Sequence, residues 1–298
     1  MTAGSTIGKL RTISGGLTLL AVAAVLLPAC RVVGADPVDL TVNTSGTLTG
    51  TVGGTAIFEV TDTLPAGTGV FKPFLTLQAS PLEEGYNTSG DDVLDTKRVP
   101  QWNHDIKLGD LQIVEKNGGS YYVFELDANE TGQGNINRLL SIDNIRIYTS
   151  DTPSQTVENP DLLGDLRFAM NNPLKDPNTG AFIIDNWVKI DSSNSDAPPG
   201  SGGQTSGSGS SDMLVYIPTS AFAGASMDDY LYFYNLNGVH YQAEAGTSSD
   251  AGFEEWRAWL GPNEVPEVPE GGNTLILLGA VITVLGIFAG RRKVACAA

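Results

Sequence analysis

Apolar and polar positions alternate in short runs along most of this chain, separated by glycine, asparagine, aspartate and serine. Alternation of period two puts successive side chains on opposite faces of a strand, so each run predicts a half-buried strand. Residues 38–43 alternate, and over 55–61 Ala56, Phe58 and Val60 fall on one face. Residues 70–78 hold Phe71, Phe74, Leu75 and Leu77. Runs at 111–115 and 121–126 flank Asn117-Gly118-Gly119, a hairpin signal. Residues 142–148 put Ile145 and Ile147 on one face, and runs at 182–190, 213–217 and 230–236 complete the set. Asn237-Gly238 then predicts a turn into a further strand at 239–243. Only residues 253–260 suit a helix better, with Phe253, Trp256 and Leu260 on one helical face.

Many short strands joined by polar turns predict an all-β fold, an antiparallel β-sandwich of jelly-roll type. Residues 36–262 are long enough for one substantial core. The stretch 191–211, rich in Ser, Gly, Asp and Pro, cannot bury enough apolar surface to order itself and reads as a flexible surface loop. The alternative is a linker, which would leave 51 residues, 212–262, as a second domain without a disulfide. The single sandwich is the preferred expectation.

The two ends differ from this body. Lys9 and Arg11 precede an apolar stretch at 17–27, and Val33-Gly34-Ala35 supplies small residues, so residues 1–35 read as a signal peptide cleaved after Ala35. A competing reading takes Leu27-Pro28-Ala29-Cys30 as a lipoprotein box that would lipidate Cys30. At the other end a spacer, 263–274, leads into an apolar segment, 275–290, and a basic tail, 291–298. The 15 residues of 275–289 would span about 22 Å as a helix, short of the roughly 30 Å of a hydrocarbon core. With 271–274 and Gly290 the uncharged stretch reaches 20 residues, enough for a transmembrane helix. Arg291-Arg292-Lys293 then favours a cytoplasmic C-terminus.

Charge follows the same plan. All 34 acidic residues lie between Asp36 and Glu270, while six of the 17 basic ones lie outside: Lys9, Arg11, Arg31, Arg291, Arg292 and Lys293. A body so acidic disfavours nucleic acid and anionic membrane surfaces as partners.

The tail reads Val268-Pro269-Glu270-Gly271-Gly272, then the apolar segment, then Arg291-Arg292-Lys293. These three parts in that order resemble the sorting signals of the PEP-CTERM class of bacterial surface proteins. Gly271 replaces the second proline of Pro-Glu-Pro, and five residues follow the basic cluster. The body from Thr55 onward is similar, much more weakly, to uncharacterised body regions of such proteins, through segments such as 69–75, 85–88, 140–149 and 252–256. The resemblance implies export through the inner membrane of a Gram-negative bacterium and handling by an exosortase-type processing enzyme. It further implies a destination at the cell surface or in an extracellular matrix, in the company of exopolysaccharide.

Candidate chemistry in the body is sparse. The cysteines, Cys30 and Cys296, lie in the two ends, so no disulfide framework or thiol chemistry is expected of the body. His104 and His240 have no metal-ligand spacing, and His240, just after a turn, reads as an exposed strand residue. A Ser-His-Asp triad is combinatorially open, but no Gly-x-Ser-x-Gly elbow frames a nucleophile. Asp127 to Gly132 mimics the start of a calcium loop whose twelfth position is Arg138, and Asp176-Pro177-Asn178-Thr179-Gly180 is a second Asp/Asn turn. Both read first as ordinary turns, with at most one structural Ca²⁺ and no other cofactor. The neighbouring carboxylates Glu83-Glu84, Asp91-Asp92, Asp228-Asp229 and Glu254-Glu255 would point to opposite faces of a strand, and read as solvated surface. Trp102, Trp187, Trp256 and Trp259 are candidates for a sugar-stacking platform, with core packing the commoner role. The expectation is an exported, non-enzymatic surface or matrix protein. A carbohydrate-binding module comes second and a secreted glycosidase third.

Overall fold

Strands carry the structure, and among the described residues no helical piece exceeds four residues. The computed structural model describes residues 31–32, 37–61, 71–97, 100–130, 138–192, 211–242, 246–250 and 252–261. In chain order the strands are β1 (Arg31–Val32), β2 (Val38–Asp39), β3 (Ser45–Thr49), β4 (Thr55–Val60), β5 (Leu75–Leu77), β6 (Glu83–Tyr86), β7 (Ile106–Lys107) and β8 (Ile113–Lys116). They continue as β9 (Gly119–Ala128), β10 (Leu139–Ser150), β11 (Asp165–Ala169), β12 (Ile183–Ile184), β13 (Val188–Asp191), β14 (Met213–Pro218), β15 (Tyr230–Asn237) and β16 (Glu254–Ala258). Four short 3₁₀ turns complete the described set: Leu108–Asp110, Pro160–Leu162, Thr219–Phe222 and Val239–Gln242.

Two seven-stranded sheets pack face to face in a sandwich-like arrangement. The front sheet runs β3-β4-β14-β9-β16-β5, with β8 also on β9. The back sheet runs β2-β13-β10-β15-β6, with β11 on β10 and β7 on β15. Pairing is antiparallel except at the back sheet's edge, where β2 joins β13 in parallel, and in the separate β1–β12 pair. The strand after residue 211, β14, lies between β4 and β9 in the front sheet, and β15 lies between β10 and β6 in the back one.

The strongest local signal is the β8–β9 hairpin. Asn117 and Gly118 both have positive φ, 53° and 80°, as a two-residue type I′ turn requires. Lys116 pairs with Gly119 across it. Along β9 the alternation is clean: Tyr122, Phe124, Leu126 and Ala128 enter the core between the sheets, while Val123 packs in a separate cluster on the other face. The core centres on Phe233, whose ring lies 5.7 Å from Phe74, 4.9 Å from Phe124 and 4.8 Å from Trp256. Such aromatic pairs add about 0.5–1.5 kcal/mol each beyond their buried area. The indole of Trp256 donates from Nε1 to Asn235 Oδ1 at 2.9 Å, which satisfies a donor that burial would otherwise strand.

A further buried layer covers the outer face of the back sheet. Tyr86, Tyr148, Tyr232, Tyr234 and Leu236 pack there against Leu163, Leu174, Ile184 and Trp187 from the connecting segments. Tyr86 Oη donates to Val157 O at 2.8 Å, and Tyr232 Oη to Thr152 O at 2.7 Å. Asn171 saturates its amide. Its Nδ2 donates to Asp143 O and Asn186 O, and its Oδ1 accepts from Asp185 N and Asn186 N. The loops are held by directional bonds to a sheet face that alternation alone would assign to water.

Several expectations need correction. Residues 253–260 form strand β16, not a helix. Pairing with β9 on one side and β5 on the other decides this, because eight residues of helical periodicity offer too little against two ladders. Residues 239–242 form a 3₁₀ turn rather than the start of a strand. His240, expected to be exposed, is 2% exposed. The run at 70–78 yields only a three-residue strand, β5, with Phe71 and Phe74 buried in the irregular chain before it. Ala35, Val268, Pro269, Glu270, Arg291, Arg292 and Lys293 lie outside the described residues, as do Cys30, Cys296, the apolar segment 275–290 and most of the loop 191–211. Among the described residues no helix is long and apolar enough to cross a membrane.

Candidate functional site

Three polar constellations form, and each depends on strands distant in sequence. The first closes one end of the core. Glu83 on β6 faces Asn237 on β15, its register partner, and Asn237 Nδ2 donates to Glu83 Oε1 at 2.7 Å. Glu254 reaches the same place from β16 in the opposite sheet, two residues before Trp256 and on the same inward face. Glu83 is 0% exposed and Glu254 1%, so their expected place at the solvated surface is overturned. Alternation did split each neighbouring pair, but the inward member landed inside the sandwich. Asp91, Asp92 and Asp228 are exposed as expected.

Burial, then the Glu83 charge, the bond to Glu83 and the charge of Glu130 hold the Glu254 carboxyl well above the usual carboxylate range. Glu83 also moves up through burial, opposed by bonds from Glu254, Asn237, Ala79 and Ser249. The loops that shut this end turn on two glycines. Gly238 has φ +83°, and a Cβ there would stand 2.3 Å from Pro81 O. Gly252 has φ +107°, and a Cβ would stand 1.7 Å from Asn129 O. No side chain fits at either point without moving backbone.

The second constellation lies on the outer face of the back sheet. His240 Nδ1 is 2.5 Å from Asp143 Oδ1, and Trp187 stacks on the imidazole at 3.9 Å and 11°. Asp143 Oδ2 accepts from Ser141 Oγ at 2.9 Å and from Val239 N at 2.5 Å. Burial pushes the Asp143 carboxyl up, against the opposing bonds and charge of His240 and the bonds from Val239 and Ser141. Ser, His and Asp do meet, but in an order that does not activate the serine. A nucleophile must give its proton to the imidazole that the carboxylate orients, whereas Ser141 donates to the carboxylate and His240 Nε2 has no hydrogen-bond partner.

The third lies on the outer face of the front sheet. Glu125 is 0% exposed and accepts from Arg257 Nε at 2.7 Å, Trp259 Nε1 at 2.9 Å and Ser211 Oγ. Nearby Tyr121 and Tyr216 meet edge to face at 89°, and Lys116 Nζ sits 4.4 Å from the Tyr216 ring while bonded to Glu59. The four tryptophans do not line up. Trp187 and Trp256 are buried, Trp259 is half-buried, and Trp102 is exposed.

The calcium candidates read from sequence divide. Asp176 Oδ1 accepts from Asn178 N and Thr179 N, an ordinary Asx turn, and those two bonds draw its carboxyl below the usual range. Asp127 is buried at the end of β9, and Thr131 and Gly132 lie outside the described residues. No group of three or more His, Cys, Asp or Glu side chains able to hold a metal ion occurs among the described residues.

Comparison with family models, with characterised proteins and with solved structures finds no match for this chain. Sequence reasoning missed Glu83 with Glu254, Asp143 with His240, and Glu125 with Arg257. Their members are 171, 97 and 132 positions apart, so no local spacing could have announced them. One weak signal existed: Glu254, Trp256 and Ala258 alternate, which would place a carboxylate on an inward face.

Proposed function

We propose that this chain is an exported, non-enzymatic protein of the bacterial cell surface or extracellular matrix, delivered through its C-terminal signal and associated with exopolysaccharide. One observation carries the reading: Val268-Pro269-Glu270, the apolar segment and Arg291-Arg292-Lys293 occur in that order at the end of a strongly acidic body. A sorting enzyme of the exosortase type and the inner membrane are the partners this implies. The finer fold reading, a jelly-roll wrap, is supported by the chain's passage from front to back to front sheet through β14, β15 and β16.

A non-enzymatic body is also the reading that the polar clusters favour. Glycoside hydrolysis needs two carboxyls about 5–9.5 Å apart with a sugar between them. Glu83 and Glu254 instead touch inside the core, at 0% and 1% exposure, where no sugar fits. A carbohydrate-binding face is the second reading. Tyr121, Tyr216 and Trp259 beside Arg257 on the front sheet's outer face favour it, while the perpendicular Tyr rings make a poor flat platform.

Intact-mass measurement of the envelope-associated and released protein tests the sorting reading. A C-terminus near Pro269 or Glu270 is expected. A chain still ending at Ala298 would make the tail a lasting membrane anchor and overturn the sorting reading.

A further inference from the structure

The closed end of the core contains more oxygen acceptors than donors. Glu83 accepts from Asn237 Nδ2 at 2.7 Å and from Ala79 N at 3.4 Å. Both carboxyl oxygens of Glu254 are buried, and the only side chain bonded to that carboxyl is the facing Glu83, another acid, while Asn237 Oδ1 has no donor at all. Asn237 is fully buried, and its Nδ2 bond to Glu83 places Oδ1 within one amide width of the Glu83 carboxylate. None of the ion pairs among the described residues involves Glu83 or Glu254. Buried oxygens without partners are rare, because each forfeits its hydration and gains nothing in return. Two carboxylates in contact cannot both carry charge at low dielectric unless something positive lies between them.

We propose that Glu83, Glu254 and Asn237 form a binding site for one divalent cation of the calcium class, which ties the two sheets together at this end of the sandwich. The donor set consists of hard oxygens only, without sulfur or imidazole, which suits Ca²⁺ rather than zinc. Two carboxylates balance a divalent charge, and the amide oxygen adds a neutral ligand. Calcium takes about six to eight oxygens, so backbone carbonyls of the enclosing loops and water complete the shell. Glu130, 9% exposed and held by Asp250 N on its Oε2, adds a third negative charge to the field at Glu254. Because Glu83 belongs to the back sheet and Glu254 to the front, the ion acts as a rivet between layers that otherwise meet through a largely apolar core and the Trp256–Asn235 bond. The site stands on these residues alone and does not depend on how the tail is sorted.

The test uses the purified full-length chain in mild detergent. Thermal unfolding is compared between a chelator and calcium at about 100-fold above Kd, where an upward shift of roughly 5–10 °C is expected. Terbium provides a direct probe of binding. Trp256 stands two residues along the same strand from Glu254, about 7 Å away, close enough to sensitise terbium emission. One saturable site that calcium displaces is expected. Glu254→Gln should abolish both responses, while Asp176→Asn, on the exposed turn, should keep them. A wild-type chain with no calcium-dependent shift and no saturable emission would falsify the proposal, and that arm stands even if Glu254→Gln fails to fold. Responses that survive in a folded Glu254→Gln chain would place the ion on the acidic surface and equally overturn it. Stabilisation by acid alone, without a calcium effect, would mean that the pair shares a proton instead.

Discussion

On its inward face the β10–β15 pair presents Ile142, Ile145, Ile147, Leu231 and Phe233; on its outward face it presents Asn144, Arg146, Tyr148, Tyr232 and Tyr234. All ten are buried. The inward set gains by leaving water, a non-directional effect of about 1.5–3 kcal/mol per large apolar side chain. The outward set is buried because loops lie over it, and most of its polar groups take a specific partner there. Arg146 finds Asp161 at 2.7 Å and Asn172 Oδ1 at 2.8 Å, and Tyr234 Oη finds Glu84 Oε2 at 2.5 Å. One strand thus lies between a dry layer and a hydrogen-bonded one. The dry side should tolerate apolar exchange of similar volume, and the bonded side should tolerate very little.

The largest effect should come from the dry face. Phe233→Ala removes the ring that Phe74, Phe124 and Trp256 all pack against. A loss of about 3–5 kcal/mol is expected, read as a lower denaturant midpoint for the whole body. A loss under about 1 kcal/mol would mean that the two sheets do not share one core.

Asn171→Ala should cost less and act elsewhere. It strands the backbone groups that its amide serves, at about 1–3 kcal/mol. Hydrogen exchange should speed up at residues 171–187 while β9 and β14 keep their protection. Equal acceleration everywhere would erase the distinction between the two faces.

The pH dependence is the finest probe. Burial raises the Asp143 carboxyl above its ordinary value, so the folded chain holds that proton more tightly than the unfolded chain. Stability from this group is full below the ordinary carboxyl value and is lost as pH rises through the folded one. Asp212, Glu83 and Glu254 shift the same way, each mainly through burial. In chelator, melting temperature should therefore rise as pH falls from neutral towards the ordinary carboxyl range at about 4. Asp143→Asn should flatten that rise in part and leave the share of the other three. A body that loses stability steadily over that range would contradict the assigned direction.

Several elements were legible in the chain before any contact was known. Asn117-Gly118 between two alternating runs could hardly be anything but a hairpin, because only that dipeptide class accepts positive φ twice. The runs in β9, β14 and β15 announced strands for the same local reason. The candidate sites were not legible. Glu254 was obscured by its neighbour Glu255, since a pair of glutamates reads as surface wherever it occurs. His240 reads as solvent-exposed because nothing near it in sequence foretells that Trp187 and Asp143 close over it.

By itself the sequence determined the all-β class, the main hairpin, the acidic body and the tripartite tail, because periodicity, turn chemistry and charge order are properties of neighbouring residues. Only the tertiary structure decided which strands pair, that β16 is a strand, and that Glu83, Glu254 and Asn237 converge. Those outcomes depend on contacts across 100 or more positions. Whether a polar side chain meets water or protein is settled by what the fold lays over it.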